Sequence, residues 1–174
     1  GYDLIEIEYI PVTDEEISTI KILKSKRLQR LAFTMLVIAK MNNIISDKNN
    51  SWVNRKDKEI FKHTNIRTSI KDQCLLLNDL KTHGLIEFSE RVDNVNNRVL
   101  FVKEGEVVIN IDDMRNLGHQ YDSYMGYGKY KKCEICGETI KVGGNGQTKY
   151  CPKCYEEKHK NIDKEYQERK RKLK

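Results

Sequence analysis

Cys133-Glu-Ile-Cys136-Gly-Glu-Thr-Ile-Lys-Val-Gly-Gly-Asn-Gly-Gln-Thr-Lys-Tyr-Cys151-Pro-Lys-Cys154 holds two Cys-x-x-Cys hooks with fourteen residues between them. Each hook turns two sulfurs toward one point, and two hooks close a tetrahedral S4 cage that suits zinc. The gap is one residue short of the usual window for this pattern. Gly137 stands where a turn beneath a metal needs positive φ, and Gly143, Gly144 and Gly146 allow a bend between the hooks. The stretch reads as a zinc ribbon with one structural Zn2+ held by Cys133, Cys136, Cys151 and Cys154. Four thiolates leave no open position for a catalytic water.

Rival uses of the cysteines are weaker. Disulfides need an oxidising compartment, and residues 1–20 carry no secretory pattern, so a cytoplasmic location is expected. A redox pair needs a βαβ setting that tandem hooks around a hairpin do not supply. Cys74, alone among leucines, is read as a small core residue. No apolar run is long enough to span a membrane, so no membrane partner is expected.

Charge is segregated along the chain. The net +6 divides into an acidic segment (1–20), a basic one (21–103, seventeen bases against eight acids), an acidic one (104–128) and a basic one (129–174). Two basic blocks between acidic stretches suit a polyanion, although solvated lysines would give the same totals.

The order of elements sharpens that reading. Thr13-Asp-Glu-Glu16 is a capping box opening a short helix with Ile17, Ile20 and Leu23. Leu28, Leu31, Ala32, Met35, Leu36 and Ala39 give a helix over Lys26–Met41, followed by a polar loop to Ser51. Trp52-Val53 is long enough for one β-bridge, and Arg55–His63 reads as a third helix with Ile60 and Phe61 inward. A turn at 64–68 leads to a second box, Ser69-Ile-Lys-Asp72. The helix it opens has Ile70, Cys74, Leu77 and Leu80 expected on its buried side. Gly84 is its left-handed stop. Leu85–Val92 and Arg98–Lys103 alternate as strands around a turn at Asp93–Asn97. Helix, bridge, helix, turn, helix, hairpin is the order of a winged helix-turn-helix; a helical bundle with a hairpin is the alternative.

The fold class expected is therefore α+β. A winged helix-turn-helix domain with an N-terminal extension (1–111) precedes a Tyr/Gly-containing linker (112–130), the four-cysteine ribbon (131–155) and a basic helical tail (156–174). Val107–Ile111 is expected to be a further strand. Tyr121, Tyr124, Tyr127 and Tyr130 are expected to pack on the domain they cross, with stacking on unpaired nucleotides as the alternative. In the tail, Tyr155, Ile162, Tyr166 and Leu173 form a thin apolar stripe.

The chain resembles a group of small phage and mobile-element proteins from low-GC Gram-positive bacteria. The residues that carry the likeness are Leu28-Gln-Arg-Leu-Ala-Phe33, Trp52-Val53, Asp93-Asn-Val-Asn-Asn-Arg98, Arg115-Asn-Leu-Gly118, Lys149-Tyr-Cys-Pro-Lys-Cys154 and Glu168-Arg-Lys-Arg171. Those proteins join a winged-helix-like part to a C-terminal zinc ribbon and basic tail. The resemblance implies a mobile-element origin and little about activity.

A winged helix would present Arg67, Thr68, Ser69, Lys71 and Gln73 to double-stranded DNA. Arg67 and Lys71 suit guanine edges or phosphates, and Gln73 suits adenine. Ser69 and Asp72 are also the capping pair. The wing would add Arg91, Asn96, Asn97 and Arg98, the last for phosphate or minor-groove contact. Asn96 and Asn97 equally suit plain turn chemistry. Arg55, Lys56, Lys58 and Lys62 could clamp phosphates or form a wet face.

No catalytic constellation emerges, and no enzyme is expected. His63, His83 and His119 lack a nucleophile at a telling spacing, and Asn116 with His119 falls short of an HNH nuclease core. The expectation is a sequence-specific DNA-binding protein of phage type, with transcriptional regulation as its role. Alternatives are a replication-initiation or DNA-loading factor, or an adaptor that targets a host protein. A protein partner at the ribbon or tail, and a homodimer, stay open.

Overall fold

Helix α2 (Lys26–Ser46) opens at Ser25, whose side chain accepts a 3.4 Å hydrogen bond from the Leu28 amide. The expected apolar stripe is buried, but so are Phe33, Thr34, Val37 and Ile38 between its members. A helix covered on every side sits at the centre of its unit. It runs past Met41 to Ser46 and stops at Asp47, which is left-handed with φ 53°. Asn42 and Asn43, expected in a loop, remain helical because their side chains have partners beyond the helix. The Asn42 Nδ2 donates to the carbonyls of Trp52 (3.0 Å) and Val53 (2.7 Å), and the Asn43 Oδ1 accepts from the Ser51 amide at 2.9 Å.

This computed structural model describes residues 7–89 and 96–173. Around α2 lie β1 (Ile10–Thr13), α1 (Asp14–Lys21), α3 (Asp57–Lys62), α4 (Ile70–Thr82), β2 (Ile86–Phe88), β3 (Asn97–Val99), β4 (Val107–Ile111) and α5 (Leu117–Met125). The capping box of α1 is present in both directions: Glu16 N–H donates to Thr13 Oγ1 at 3.3 Å, and Thr13 N–H to Glu16 Oε1 at 2.9 Å. Glu16 is fully buried, a costly place for a carboxylate unless it is paired. Lys40 Nζ at 2.6 Å and the Lys103 amide at 3.1 Å supply that pairing.

Strand β4 appears where expected. Its partner β1 was not expected; the two run antiparallel from Ile10↔Ile111 to Val12↔Ile109, with a bulge between Val12 and Thr13. Strands β2 and β3 pair antiparallel, and Trp52 makes the expected single β-bridge, with Arg98 as its partner. The return strand ends at Val99 rather than Lys103, where Leu100 turns outward. The first strand and turn, expected over Leu85–Val92 and Asp93–Asn97, fall partly on 90–95, outside the described residues.

Two corrections concern α4 and the expected linker. Ile70 is 80% exposed and Cys74 is exposed, so neither belongs to the core. Burial on α4 is confined to its C-terminal half, at Leu77 and Leu80. The helix closes in a Schellman motif, with Gly84 at φ +74°, the Leu85 amide on the Leu80 carbonyl (3.1 Å) and the Gly84 amide on Lys81 (2.9 Å). Residues 112–130 do not form a free linker. They contain α5, which packs on α2 through fully buried Leu117 and Tyr121. The Tyr121 ring lies 5.2 Å from that of Phe33, and its hydroxyl donates to Gln29 Oε1 at 2.7 Å. Tyr121 and Tyr127 pack as expected, while Tyr124 is exposed.

The first unit therefore extends to Tyr127, and a second begins at Gly128. The second comprises β5 (Tyr130–Lys132), β6 (Thr139–Lys141), antiparallel from Tyr130↔Lys141 to Lys132↔Thr139, and α6 (Pro152–Lys172). Among the described residues the architecture is mixed α/β, with three separate two-stranded sheets. No described helix is long and apolar enough to cross a membrane.

Candidate metal centre and nucleic-acid interface

The four cysteines converge. Cys133 follows β5, and its amide donates to the Glu138 carbonyl at 2.8 Å, folding the first hook back on itself. Gly137, at φ +79°, completes that turn by donating to the Cys133 carbonyl at 3.0 Å. Cys151 is the N-cap of α6, Pro152 occupies the helix start, and Cys154 lies in the first turn. The helix end thereby aims amides at sulfur: Cys154 N–H at Cys151 Sγ (3.4 Å) and Cys151 N–H at Cys133 Sγ (3.3 Å).

All four Sγ atoms lie within 4.8 Å of one another, and the Cys136 and Cys151 sulfurs are 3.8 Å apart. A regular tetrahedron of ~2.3 Å metal–sulfur bonds has an edge of about 3.8 Å, so the set is placed to hold a metal ion. None of the four is disulfide-bonded. Burial alone would raise the Cys133 thiol, but the amides of Cys136, Cys151 and Ile135 outweigh it and bring its pKa down to about 6. Cys151 is pushed up, by burial first and then by its hydrogen bond with Glu138. One thiolate is therefore favoured, while Cys151 and Cys154, both pushed up, resist ionising until a cation shares their charge. Besides the cysteines, the unit's buried set holds Ile140, with Tyr150 packed against it. A core that small does not sustain a fold unaided.

In the first unit, the turn between α3 and α4 is clamped from two sides. Arg30 on α2 donates to the Asn65 carbonyl at 3.0 Å and pairs with buried Asp122 on α5, through Nε at 2.8 Å. Asn65, at φ 56°, uses its side chain on α5 as well, with Nδ2 to Asn116 Oδ1 at 2.9 Å and Oδ1 from the His119 amide at 3.0 Å. The Gly118 amide reaches the His63 carbonyl at 3.1 Å. Arg27 holds the Arg67 carbonyl at 3.0 Å. Burial, with Arg55 nearby, lowers the pKa of His63 beneath this clamp.

The residues expected to face DNA divide into two groups. Arg67, Ser69 and Lys71 are exposed around the α4 N-terminus; Thr68 and Gln73 beside them are half-buried. Ser69 caps the helix by accepting from the Asp72 amide at 3.2 Å, and the Thr68 hydroxyl donates to the Ser69 carbonyl. Lys56, Lys58 and Lys62 are exposed on or beside α3.

The hairpin residues are mostly committed elsewhere. Asn97 is fully buried, which takes it off the surface; its side-chain atoms have no hydrogen-bond partner at ordinary distance, though they lie close enough to Asp57 to act on that carboxyl. Asn96 exchanges bonds with the distant Asn54, accepting from its amide at 2.9 Å and donating to its Oδ1 at 2.6 Å. Arg98 lies within β3, opposite Glu87. Its Nε donates to the Asn50 carbonyl at 2.9 Å, its Nη1 meets Glu87 at 3.3 Å, and its guanidinium lies 5.8 Å from the Trp52 ring centre. Arg91 lies outside the described residues.

Sequence reasoning missed the exposed face of α4, on which Ile70, Cys74, Leu75 and Asn78 accompany Lys71. A burial stripe through Leu77 and Leu80 alone, rather than one extended back to Ile70, would have found it. No family model, curated protein or solved structure matches the chain.

Proposed function

We propose that the chain is a non-enzymatic, sequence-specific double-stranded DNA-binding protein whose first unit acts as a winged helix-turn-helix, and whose four cysteines hold one structural zinc ion. The observation that carries the DNA reading is the α4 N-terminus. It stands in solvent with Arg67 and Lys71 exposed, on a turn that Arg30, Asn65 and α5 hold rigid. A helix N-terminus with free amides and flanking cations suits phosphate, and long basic side chains there reach base edges. Lys56, Lys58 and Lys62 add electrostatic affinity without sequence information. Four sulfurs and no oxygen or nitrogen donor favour zinc among the divalent ions, and they leave the metal no catalytic position.

The role this supports best is transcriptional regulation of phage type; loading or initiation at a replication origin would use the same surface. The test is selection of metal-loaded protein on a random duplex pool at two salt concentrations, repeated with the Arg67→Ala/Lys71→Ala variant. An enriched motif that survives the higher salt, and is lost in the variant, supports the reading. Binding without a motif that vanishes with salt overturns it.

One observation favours a second reading. Ile70 and Leu75 are 80% and 58% exposed on α4 beside Lys71, a composition that also suits a protein partner. An adaptor would tolerate loss of Arg67 and Lys71 and fail when Ile70 and Leu75 become serine.

A further inference from the structure

From Tyr155 to Leu173 every residue of α6 and its cap is exposed. A long helix with so little apolar surface of its own needs support from elsewhere. Its apolar residues are not scattered. Tyr155, Ile162, Tyr166 and Leu173, with the polar His159 and Arg169 between them, advance in alternating steps of four and three, the repeat of a coiled-coil seam. Tyr155, Ile162 and Arg169 take the d positions; His159, Tyr166 and Leu173 take the a positions. Within one chain the Tyr155 and His159 rings of the seam are 4.2 Å apart, and the flanking Lys170 Nζ lies 4.9 Å from the Tyr166 ring centre.

The flanking charges select the occupant. Glu156, Asp163 and Lys170 fall at e, and Lys158, Glu165 and Lys172 at g. In a parallel pair of identical helices each g faces the following e of the other chain. Lys158 then meets Asp163 of the second copy, and Glu165 meets Lys170 of the second copy; symmetry doubles both pairs, and all are attractive. An antiparallel pair centred on the same seam sets Lys158 against Lys172, Glu165 against Glu165 and Asp163 against Asp163. Only Glu156 against Lys170 remains favourable there. Like charges in register weaken pairing, so the pattern specifies one arrangement.

We propose that α6 is a dimerisation helix that pairs with the α6 of a second copy of this chain as a parallel two-stranded coiled coil. Arg169 and His159 make the seam a weak one. The long Arg169 stem can lie along it while its head reaches water. The dimer is accordingly reversible, and partner and direction are set mainly by Glu165 and Lys170, since Lys158 Nζ also donates to the Tyr150 hydroxyl at 2.6 Å within its own chain.

The test uses the full chain loaded with zinc and free of DNA, in sedimentation equilibrium over a wide concentration range. A monomer–dimer equilibrium is expected. Glu165→Lys alone, or Lys170→Glu alone, turns two symmetry-related attractions into repulsions and should weaken the dimer roughly tenfold or more, judged from exposed ion-pair energies. An equimolar mixture of the two variants, or both changes on one chain, should restore it. Far-UV circular dichroism of the mixture separates this recovery from a simple loss of helix. A monomer at every concentration overturns the proposal. So does a dimer indifferent to Glu165→Lys, or one that the double change fails to restore, since an antiparallel seam gives that result. With no DNA present, either outcome leaves the reading of α4 untouched.

Discussion

Gly118 is the second residue of α5, and a methyl group there should destabilise the first unit. An added Cβ would lie 1.9 Å from the Thr64 carbonyl oxygen and 2.6 Å from its carbon. Both are backbone atoms of a turn fixed by Arg30 and Asn65, so they cannot swing aside as a side-chain tip would. Overpacking of this kind costs about 1–3 kcal/mol. Separation of the two segments also removes the hydrogen bond from Gly118 to His63, worth about 1 kcal/mol. Against this stands the better helix propensity of alanine, up to about 1 kcal/mol. The expected balance for Gly118→Ala is a loss of about 1–3 kcal/mol, or roughly 4–12 °C in Tm for a unit of this size. The sign is the informative part: propensity alone predicts stabilisation. Trp52 is the single tryptophan and lies in the first unit, so urea and thermal unfolding followed by its fluorescence report on that unit. Unchanged or raised stability would refute the close approach of α5 to the turn, and with it the argument that α5 holds α4 in place.

Removing the metal by chelation, or by Cys133→Ser, should unfold the second unit because its buried set is little more than the cysteines; circular dichroism should fall while the Trp52 transition stays where it was. Asp122→Ala leaves Arg30 without its carboxylate at a buried site and should cost about 3 kcal/mol in urea unfolding. His63 has a folded pKa below its ordinary 6.5, so the unfolded chain binds the proton more readily. Its contribution is intact above pH 6.5 and is lost as pH falls through the folded value; the Trp52 midpoint should drop with acid, and His63→Gln should flatten that part of the profile.

What could be read from sequence was what rests on neighbours a few residues apart. The Thr13 box, the Ser69 cap, the Gly84 stop and the two cysteine hooks are short-range devices, and each is present. Elements held by distant partners escaped. Strand β1 begins Ile-Pro-Val and is ordered by β4 far along the chain. Helix α5 starts at left-handed Asn116 without a side-chain cap and has a glycine in its first turn, so local signals argue against it; Tyr121 and Asp122 win by packing and pairing with α2. The buried face of α4 was misjudged for a related reason. Ile70 sits inside the capping motif, and periodicity does not say how far a helix extends beyond the elements that cover it. Arg98 looked free because its partners, Asn50 and Glu87, come from separate segments.

The pairing of β1 with β4 also governs the order in which the chain can be completed. Ile10 and Val12 are made long before Ile111 and Ile109, the residues they need. At about 5–20 residues per second, synthesis leaves this apolar strand without its partner for roughly 5–20 s. Pro11 near its start limits the edge that a foreign strand could join, and the acidic residues Asp14, Glu15 and Glu16 follow it directly. The nascent segment thus carries its own protection against aggregation during the interval before β4 and α5 emerge.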